Sequence, residues 1–182
     1  TKQGADSEAK KEYLSLAEEC LAENNLDGAA EFAQKAIALK SVEANFITGI
    51  VLFKRQKWEE AKAEFEKLLR IKVNHLGALI HMGKVLDSLG LADKAKEFFH
   101  KALMIDKEGV QAQEAWAVFC VKRNDKETAI PTLTVLLDKA ILENNKARAI
   151  KFAKLLKAMD PEAIFPQANF VHYTAQAVLL QT

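Results

Sequence analysis

The chain has few residues that interrupt regular structure, since its 182 residues include only seven Gly and three Pro. An all-β sandwich or barrel needs a turn about every 8–12 residues, and Gly and Pro are the usual turn formers. Their scarcity argues against such a fold and favours long helices. With 49% hydrophobic and 28% charged residues, the composition is that of a folded protein rather than a disordered or collagen-like one.

The chain also lacks an excess of charge of either sign, with 26 Lys and Arg against 25 Asp and Glu. A net charge of +1 creates no global field that would attract nucleic acid, so we expect no nucleic-acid partner. The longest stretch without a charged side chain, residues 163–182, is interrupted by Pro166, Gln167 and Asn169. A membrane span needs roughly 18 or more apolar residues, so we predict no transmembrane helix and expect membrane contact to be peripheral at most.

The minimal parts of the common catalytic and metal sites are missing from the sequence. It contains no His-Glu-x-x-His, Gly-x-Ser-x-Gly or Cys-x-x-Cys, and no phosphate-binding glycine loop. His75 and His81 are six positions apart, which is poorly suited to two metal ligands on one helix face, so a packing or surface role is favoured. We therefore predict that the protein is not an enzyme and uses no cofactor and no metal.

The sequence repeats itself with a period of 34 residues. At this offset Gly49 falls on Gly83 and Phe65 on Phe99, and a further step of the same size keeps the register. An earlier unit fits after a two-residue deletion. Within each unit, apolar residues recur at helical spacing on both sides of a short turn that is polar or contains Gly. Each unit is therefore predicted to be a helix, a tight turn and a second helix.

This pattern resembles the tetratricopeptide repeat, whose 34-residue unit places small and bulky residues at fixed positions. The resemblance implies an all-α fold: an α-solenoid of antiparallel helix pairs, wound into a right-handed superhelix. Cys20 and Cys120 fall in the column of Leu52 and Leu86, which favours core packing for both cysteines. The expected organisation is a disordered segment (1–9), four repeats (10–41, 42–75, 76–109 and 110–143) and a C-terminal part (144–182). That last part is either a degenerate fifth helix pair or a capping helix with a tail.

In tetratricopeptide solenoids the first helix of each repeat lines the concave face. When the family's groove positions are transferred to this sequence, the resemblance implies a groove of mixed but markedly apolar character. Its predicted partner-binding residues are Leu14, Glu18, Phe46, Ile50, Phe53, Ile80, Lys84, Asp87, Glu114, Val118 and Val121. An exposed apolar patch of this kind usually marks a binding surface. We expect replacement of Phe46 and Ile50 by Asp to abolish partner capture without unfolding the chain.

Chaperone-binding members of the family hold a C-terminal carboxylate with Lys, Asn and Arg at fixed groove positions. The matching positions here are Leu14, Glu18, Ile47, Gly77 and His81, so the resemblance implies no Hsp70 or Hsp90 carboxylate ligand. A protein partner that offers an apolar or amphipathic helix or extended peptide is expected instead. The competing interpretation is that the uncharged tail of the chain fills the groove.

A self-assembling scaffold is the alternative function, in which the terminal segment of one protomer occupies the groove of the next. In length and repeat count the chain is similar to bacterial pilus-assembly factors and to a magnetosome coat protein. This similarity points to a homo-oligomeric scaffold of a bacterial organelle or secretion system.

The expected location is the cytoplasm, with the periphery of a membrane or organelle as the alternative. Because the sequence starts at Thr1 rather than Met, a targeting signal ahead of it is not readable. The segment from Lys146 to Met159 has an apolar face and a lysine-rich face. It is favoured as a packed helix with its lysines in water, and contact with an anionic surface is the alternative.

Overall fold

The computed structural model describes residues 2–161, and these residues contain helices and no strand. The helices of this range are α1 (Lys2–Ala22), α2 (Leu26–Ala38), α3 (Ala44–Lys54), α4 (Trp58–Ile71), α5 (Leu76–Ser88), α6 (Ala92–Ile105), α7 (Val110–Lys122), α8 (Lys126–Leu142) and α9 (Lys146–Met159). The chain divides after Asp106 into two compact units. We call them the N-terminal unit, with α1 to α6, and the C-terminal unit, with α7 to α9.

Helices pack in pairs within the N-terminal unit: α1 with α2, α3 with α4, and α5 with α6. The repeated glycines allow the close approach inside two of these pairs. A Cβ at Gly49 would lie 2.5 Å from the Phe65 ring, and a Cβ at Gly83 would lie 2.7 Å from the Phe99 ring. Both phenylalanines are buried. The Gly and Phe that recur every 34 residues therefore form the same helix-packing contact in both pairs.

The turns that join the paired helices share one backbone geometry. A residue with positive φ follows the first helix of each pair, and the next N–H donates to a carbonyl near the end of that helix, as in a Schellman cap. In the first pair the Asn25 N–H donates to the Cys20 carbonyl at 2.8 Å. The positive-φ residues of these turns are Asn24 (59°), Gln56 (61°), Gly90 (76°) and Asn124 (55°). These are the turns predicted from the polar and Gly-containing breaks in the sequence.

In the C-terminal unit, α8 is the central helix and contacts both α7 and α9. Helix α9 buries Phe152, Leu156 and Met159, and its N-cap Asn145 accepts the Arg148 N–H at 3.2 Å. Residues 162–182, which would include the second helix of the expected fifth pair, lie outside the described residues. The lysine-rich face of α9 is partly engaged within the unit, since Lys151 forms an ion pair with an α7 carboxylate.

The N-terminal end differs from the sequence-based expectation. Residues 1–9 were expected to be disordered, whereas α1 begins at Lys2. The segment contains helix-favouring Ala, Lys and Glu, and Gly4 is its single strong helix breaker, so α1 extends ahead of the repeat at modest cost. Over residues 2–161, no helix is both long and apolar enough to cross a bilayer.

Candidate functional site

The first helices of the three pairs in the N-terminal unit lie side by side, because α3 contacts both α1 and α5. Most of the predicted groove residues lie on these three helices. The remaining ones, Glu114, Val118 and Val121, lie on α7 in the C-terminal unit. The site described below is the surface of α1, α3 and α5, which we call the first-helix surface.

An aromatic cluster joins α3 and α5 on this surface. The ring centroid of Phe46 lies 4.9 Å from that of His75 and 5.5 Å from that of His81. Phe53 meets His81 edge to face at 6.2 Å. The buried Phe65 of α4 completes the cluster, 6.0 Å from Phe46 and 5.7 Å from His81. These separations are typical of favourable aromatic pairs, so His81 brings the predicted groove residues Phe46 and Phe53 together.

Gly77 permits the approach of α3 to α5. A Cβ at this position would lie 2.7 Å from Cζ of Phe46, which is closer than carbon atoms pack. The glycine therefore has a steric role in the cluster. Its place in the groove-lining pattern is explained by this contact with Phe46.

His81 is neutral at physiological pH. Burial lowers the pKa of His81 to about 4, and its Nδ1 lies 2.9 Å from the Gly77 carbonyl oxygen. A neutral ring with its proton on Nδ1 donates to that carbonyl, which fixes the tautomer and the ring orientation. The centre of the first-helix surface therefore has an imidazole that behaves as an aromatic packing residue and carries no charge.

His75 has a structural role at the start of α5. Its Nδ1 accepts the Ala78 N–H at 3.0 Å, which satisfies one of the free donors at the helix N-terminus. Burial lowers the pKa of His75. A packing or surface role was favoured for both histidines from their spacing, and these contacts are of the packing kind. Residues 2–161 contain no group of three or more metal-binding side chains.

The predicted residues of the N-terminal unit differ in exposure. Glu18 is exposed, whereas Leu14, Ile50, Phe53, Lys84 and Asp87 are half-buried. Leu14 packs against a core cluster that contains Ala17 and Ile47. Ile80 is only 4% exposed, so it supports the surface from below and offers a partner little area. Ile50, which lies between Phe46 and Phe53 on α3, is half-buried.

The three predicted residues on α7 are half-buried in the C-terminal unit. Glu114 forms an ion pair with Lys151 of α9. Its carboxylate is thus already engaged within the unit.

Phe46 is a poorer site for a test substitution than the sequence indicated. Its contacts with three rings mean that Asp at this position would lose these contacts and place a carboxylate beside apolar side chains, which destabilises the cluster. On these contacts we expect Phe46→Asp to destabilise the chain as well as to weaken binding. Ile50 lies outside these ring pairs and is the better choice.

His81 is the residue whose part in the site was missed by sequence reasoning. One period before and after it stand Ile47 and Ala115, both buried. A histidine in an otherwise apolar column was a usable signal of an inward-facing ring. The aromatic partners of that ring belong to other helices, so they could not be identified from the column alone.

The comparisons with known proteins point to one fold. Residues 76–108 match the tetratricopeptide repeat family. A thermophilic tetratricopeptide protein of Thermus thermophilus, TTC0263, is 14% identical with a TM-score of 0.66, covering 93% of this chain and 99% of its own. The MamA RS-1 ArsTM double mutant is 17% identical with a TM-score of 0.64, covering 95% and 94%.

The second tetratricopeptide domain of human RPAP3, solved in complex with an HSP70 peptide, is 18% identical with a TM-score of 0.56. It covers 63% of this chain and 97% of its own. A search of curated proteins finds no match. The chain therefore has the all-α fold of tetratricopeptide solenoid proteins, and residues 76–108 form a recognisable tetratricopeptide repeat.

Proposed function

We propose that this protein is a non-catalytic interaction scaffold that binds an apolar or amphipathic peptide or helix on its first-helix surface. The observation that carries the proposal is the joined cluster of Phe46, Phe53 and His81 with Ile50 beside it. These side chains are half-buried, so each keeps area that a partner can cover. The RPAP3 domain, with the same fold, is solved with a bound peptide.

The surface is preorganised for binding. Ring contacts hold Phe46 and Phe53, and the His81 ring is oriented by its bond to the Gly77 carbonyl. Ordering a flexible side chain at an interface costs roughly 0.5–1.5 kcal/mol. Because these side chains are already held in place, a partner avoids that cost. The neutral imidazole also adds no charge that an apolar partner would have to desolvate.

A peptide selection with one substitution tests this proposal. A phage-displayed peptide library is selected on the immobilised chain, and the best peptide is labelled for anisotropy measurements. We expect apolar anchors at helical or alternating spacing in the selected peptides. Ile50→Asp should weaken binding about tenfold or more, because it places a charge in the apolar contact.

The matched control is Leu142→Asp, at a residue that is 86% exposed on α8 of the C-terminal unit. It makes the same kind of change far from α3 in sequence and should leave affinity within about twofold. Equal effects of the two substitutions, or selected peptides without apolar anchors, would contradict the proposal.

Self-assembly is the second candidate function. Residues 163–182 contain no Asp, Glu, Lys or Arg and include several large apolar side chains, so this segment could serve as the ligand of a neighbouring protomer. The similarity in fold to MamA RS-1 is consistent with this candidate. Light scattering across a concentration series, with the full chain and with residues 162–182 removed, tests it. Assembly that is lost on truncation supports self-association, and a monomer in both cases opposes it.

A further inference from the structure

A second apolar surface lies between the second helices α4 and α6, with α5 as its floor. One cavity of about 310 Å³ is lined by apolar side chains that include Leu69, Val73 and Phe98. A second cavity of about 300 Å³ shares Val73 and extends to Met104. We call this continuous depression the α4–α6 trough. None of its lining residues is among the predicted partner-binding residues.

The trough combines a buried floor with exposed apolar side chains at its mouth. Leu79 and Met82 of α5 are 3% and 2% exposed, whereas Val73 is 66% and Met104 is 86% exposed. Exposed apolar side chains gain about 25 cal/mol for each Å² that a partner covers. Their clustering over a depression, rather than as single scattered residues, is the pattern of an interaction site.

The apolar character of the trough is not a requirement of the fold. One period earlier, the positions of Leu79, Met82 and Phe98 are occupied by Asn45, Thr48 and Glu64. Two of these polar side chains are satisfied locally, since Glu64 pairs with Lys67 at 2.6 Å and the Thr48 hydroxyl donates to the Ala44 carbonyl at 3.0 Å. The pair α3 and α4 therefore has polar side chains at the positions that are apolar in α5 and α6. The repeat therefore does not require apolar side chains at the positions of Leu79, Met82 and Phe98.

Cations flank the trough on two helices. Arg70 of α4 and Lys101 of α6 line the same cavity, together with one acid, Glu66. Among residues 2–161 neither cation has a carboxylate partner, and the Lys101 ammonium lies 4.8 Å from the centre of the Phe98 ring. The trough thus presents an apolar floor with unpaired positive charge on both sides.

We propose that the α4–α6 trough binds an acidic amphipathic helix of a partner protein. Apolar side chains at helical spacing enter the two cavities, as in other helix-in-groove complexes. Asp or Glu residues on both flanks of that apolar stripe pair with Arg70 and Lys101. Cavities of about 300 Å³ are at the lower end of the range for ligand pockets, which fits single large side chains as anchors.

Two synthetic helix-forming peptides test this proposal with the full chain. Both have Leu at helical anchor spacing; one has flanking Glu and the other flanking Lys. We expect the Glu peptide to bind about tenfold or more tightly than the Lys peptide in fluorescence anisotropy. Val73→Glu, and the double variant Arg70→Glu with Lys101→Glu, should each weaken the Glu peptide about tenfold. Circular dichroism checks that the variants are folded.

The controls place matching charge changes elsewhere. Leu142→Glu alters an exposed apolar residue of the C-terminal unit, and Lys94→Glu reverses an exposed charge on α6 that does not line the trough. Both should leave the affinity within about twofold. Ile50→Asp should also have no effect, which separates this surface from the first-helix surface.

Several outcomes would overturn the proposal. Equal affinity for the two peptides would remove the role of the cations. Loss of binding in Ile50→Asp, but not in Val73→Glu, would assign the peptide to the first-helix surface. Binding to phosphatidylglycerol vesicles that depends on Arg70 and Lys101, without binding of the Glu peptide, would make the trough a lipid-contact site instead.

Discussion

At the scale of single residues, His81 shows how a titratable side chain becomes part of an apolar surface. Its ring contacts Phe46, Phe53 and Phe65, and burial lowers its pKa to about 4. A charged imidazolium in this cluster would lose hydration without gaining a carboxylate partner. The neutral ring is therefore part of what keeps the first-helix surface in one arrangement.

The lowered pKa of His81 predicts a pH dependence of stability. The folded state binds the proton less readily than the unfolded state, whose histidine titrates near 6.5. The His81 contribution is thus fully present above pH 6.5 and is lost as the pH falls towards 4. The full loss is about 3 kcal/mol from this group. Urea unfolding between pH 7 and 4 measures it.

The variant His81→Gln isolates this effect from the carboxylates that titrate over the same range. Its unfolding free energy should fall less steeply with decreasing pH than that of the parent chain. Parallel pH profiles for the parent chain and His81→Gln would show that the imidazole does not titrate in this way.

Gly83 provides a steric prediction. Ala is favoured over Gly inside a helix by about 1 kcal/mol, but a Cβ here would lie 2.7 Å from the buried Phe99 ring. We expect overpacking to win, so that Gly83→Ala lowers the unfolding free energy by about 1–2 kcal/mol. A double-mutant cycle with Phe99→Leu should reveal coupling of about 1 kcal/mol, measured by chemical unfolding. Additive effects would mean that the Phe99 ring moves away from the added Cβ without an energetic penalty.

At the scale of helices, side-chain caps differ between the repeats. Asp125 caps α8 by accepting the Thr128 N–H at 3.1 Å, whereas Leu91 stands at the same position before α6 and makes no cap bond. Leu91→Asp should therefore stabilise the chain by about 0.5–1 kcal/mol, and Asp125→Ala should destabilise it by about 1 kcal/mol. Thermal and urea unfolding measure both. Changes of the same sign in the two variants would rule out capping as the cause.

The helices and turns were the most predictable part of the structure. A strict period fixes where each helix pair recurs, and residues such as Asn24 and Asn124 mark the left-handed turn positions. The extension of α1 to Lys2 was missed, because the segment ahead of the repeat has no periodic apolar residues from which to predict a packed helix. Ile80 was expected on the groove surface but is buried. The family pattern predicts which way each side chain points, but it does not predict whether large neighbouring side chains cover it.

The trough between α4 and α6 could not be found from the family pattern. Its floor residues Leu79 and Met82 occupy positions that the pattern assigns to bulky packing side chains. Only the comparison of Leu79 with Asn45 and of Phe98 with Glu64 marks this interface as unusually apolar. Three helices together form the depression, so the sequence alone does not reveal it and the structure was needed to find it.

At the scale of the whole molecule, the chain consists of two compact units that divide after Asp106. Each pair in the N-terminal unit contacts its neighbour in sequence, so most of its stabilising contacts are local. A fragment of residues 1–106 should therefore fold cooperatively, with a helical circular dichroism spectrum and a sigmoidal urea transition. A fragment with a gradual, coil-like transition would show that this unit depends on the rest of the chain.

Hydrogen–deuterium exchange of the full chain, with and without a peptide selected on it, tests the central claim most directly. If the first-helix surface is the docking site, the bound peptide should slow exchange in α3 and α5 around Phe46, Ile50 and His81. Exchange in α9 should stay unchanged, and Ile50→Asp should remove the protection. Protection confined to α9, or protection in α3 and α5 that survives Ile50→Asp, would contradict the account.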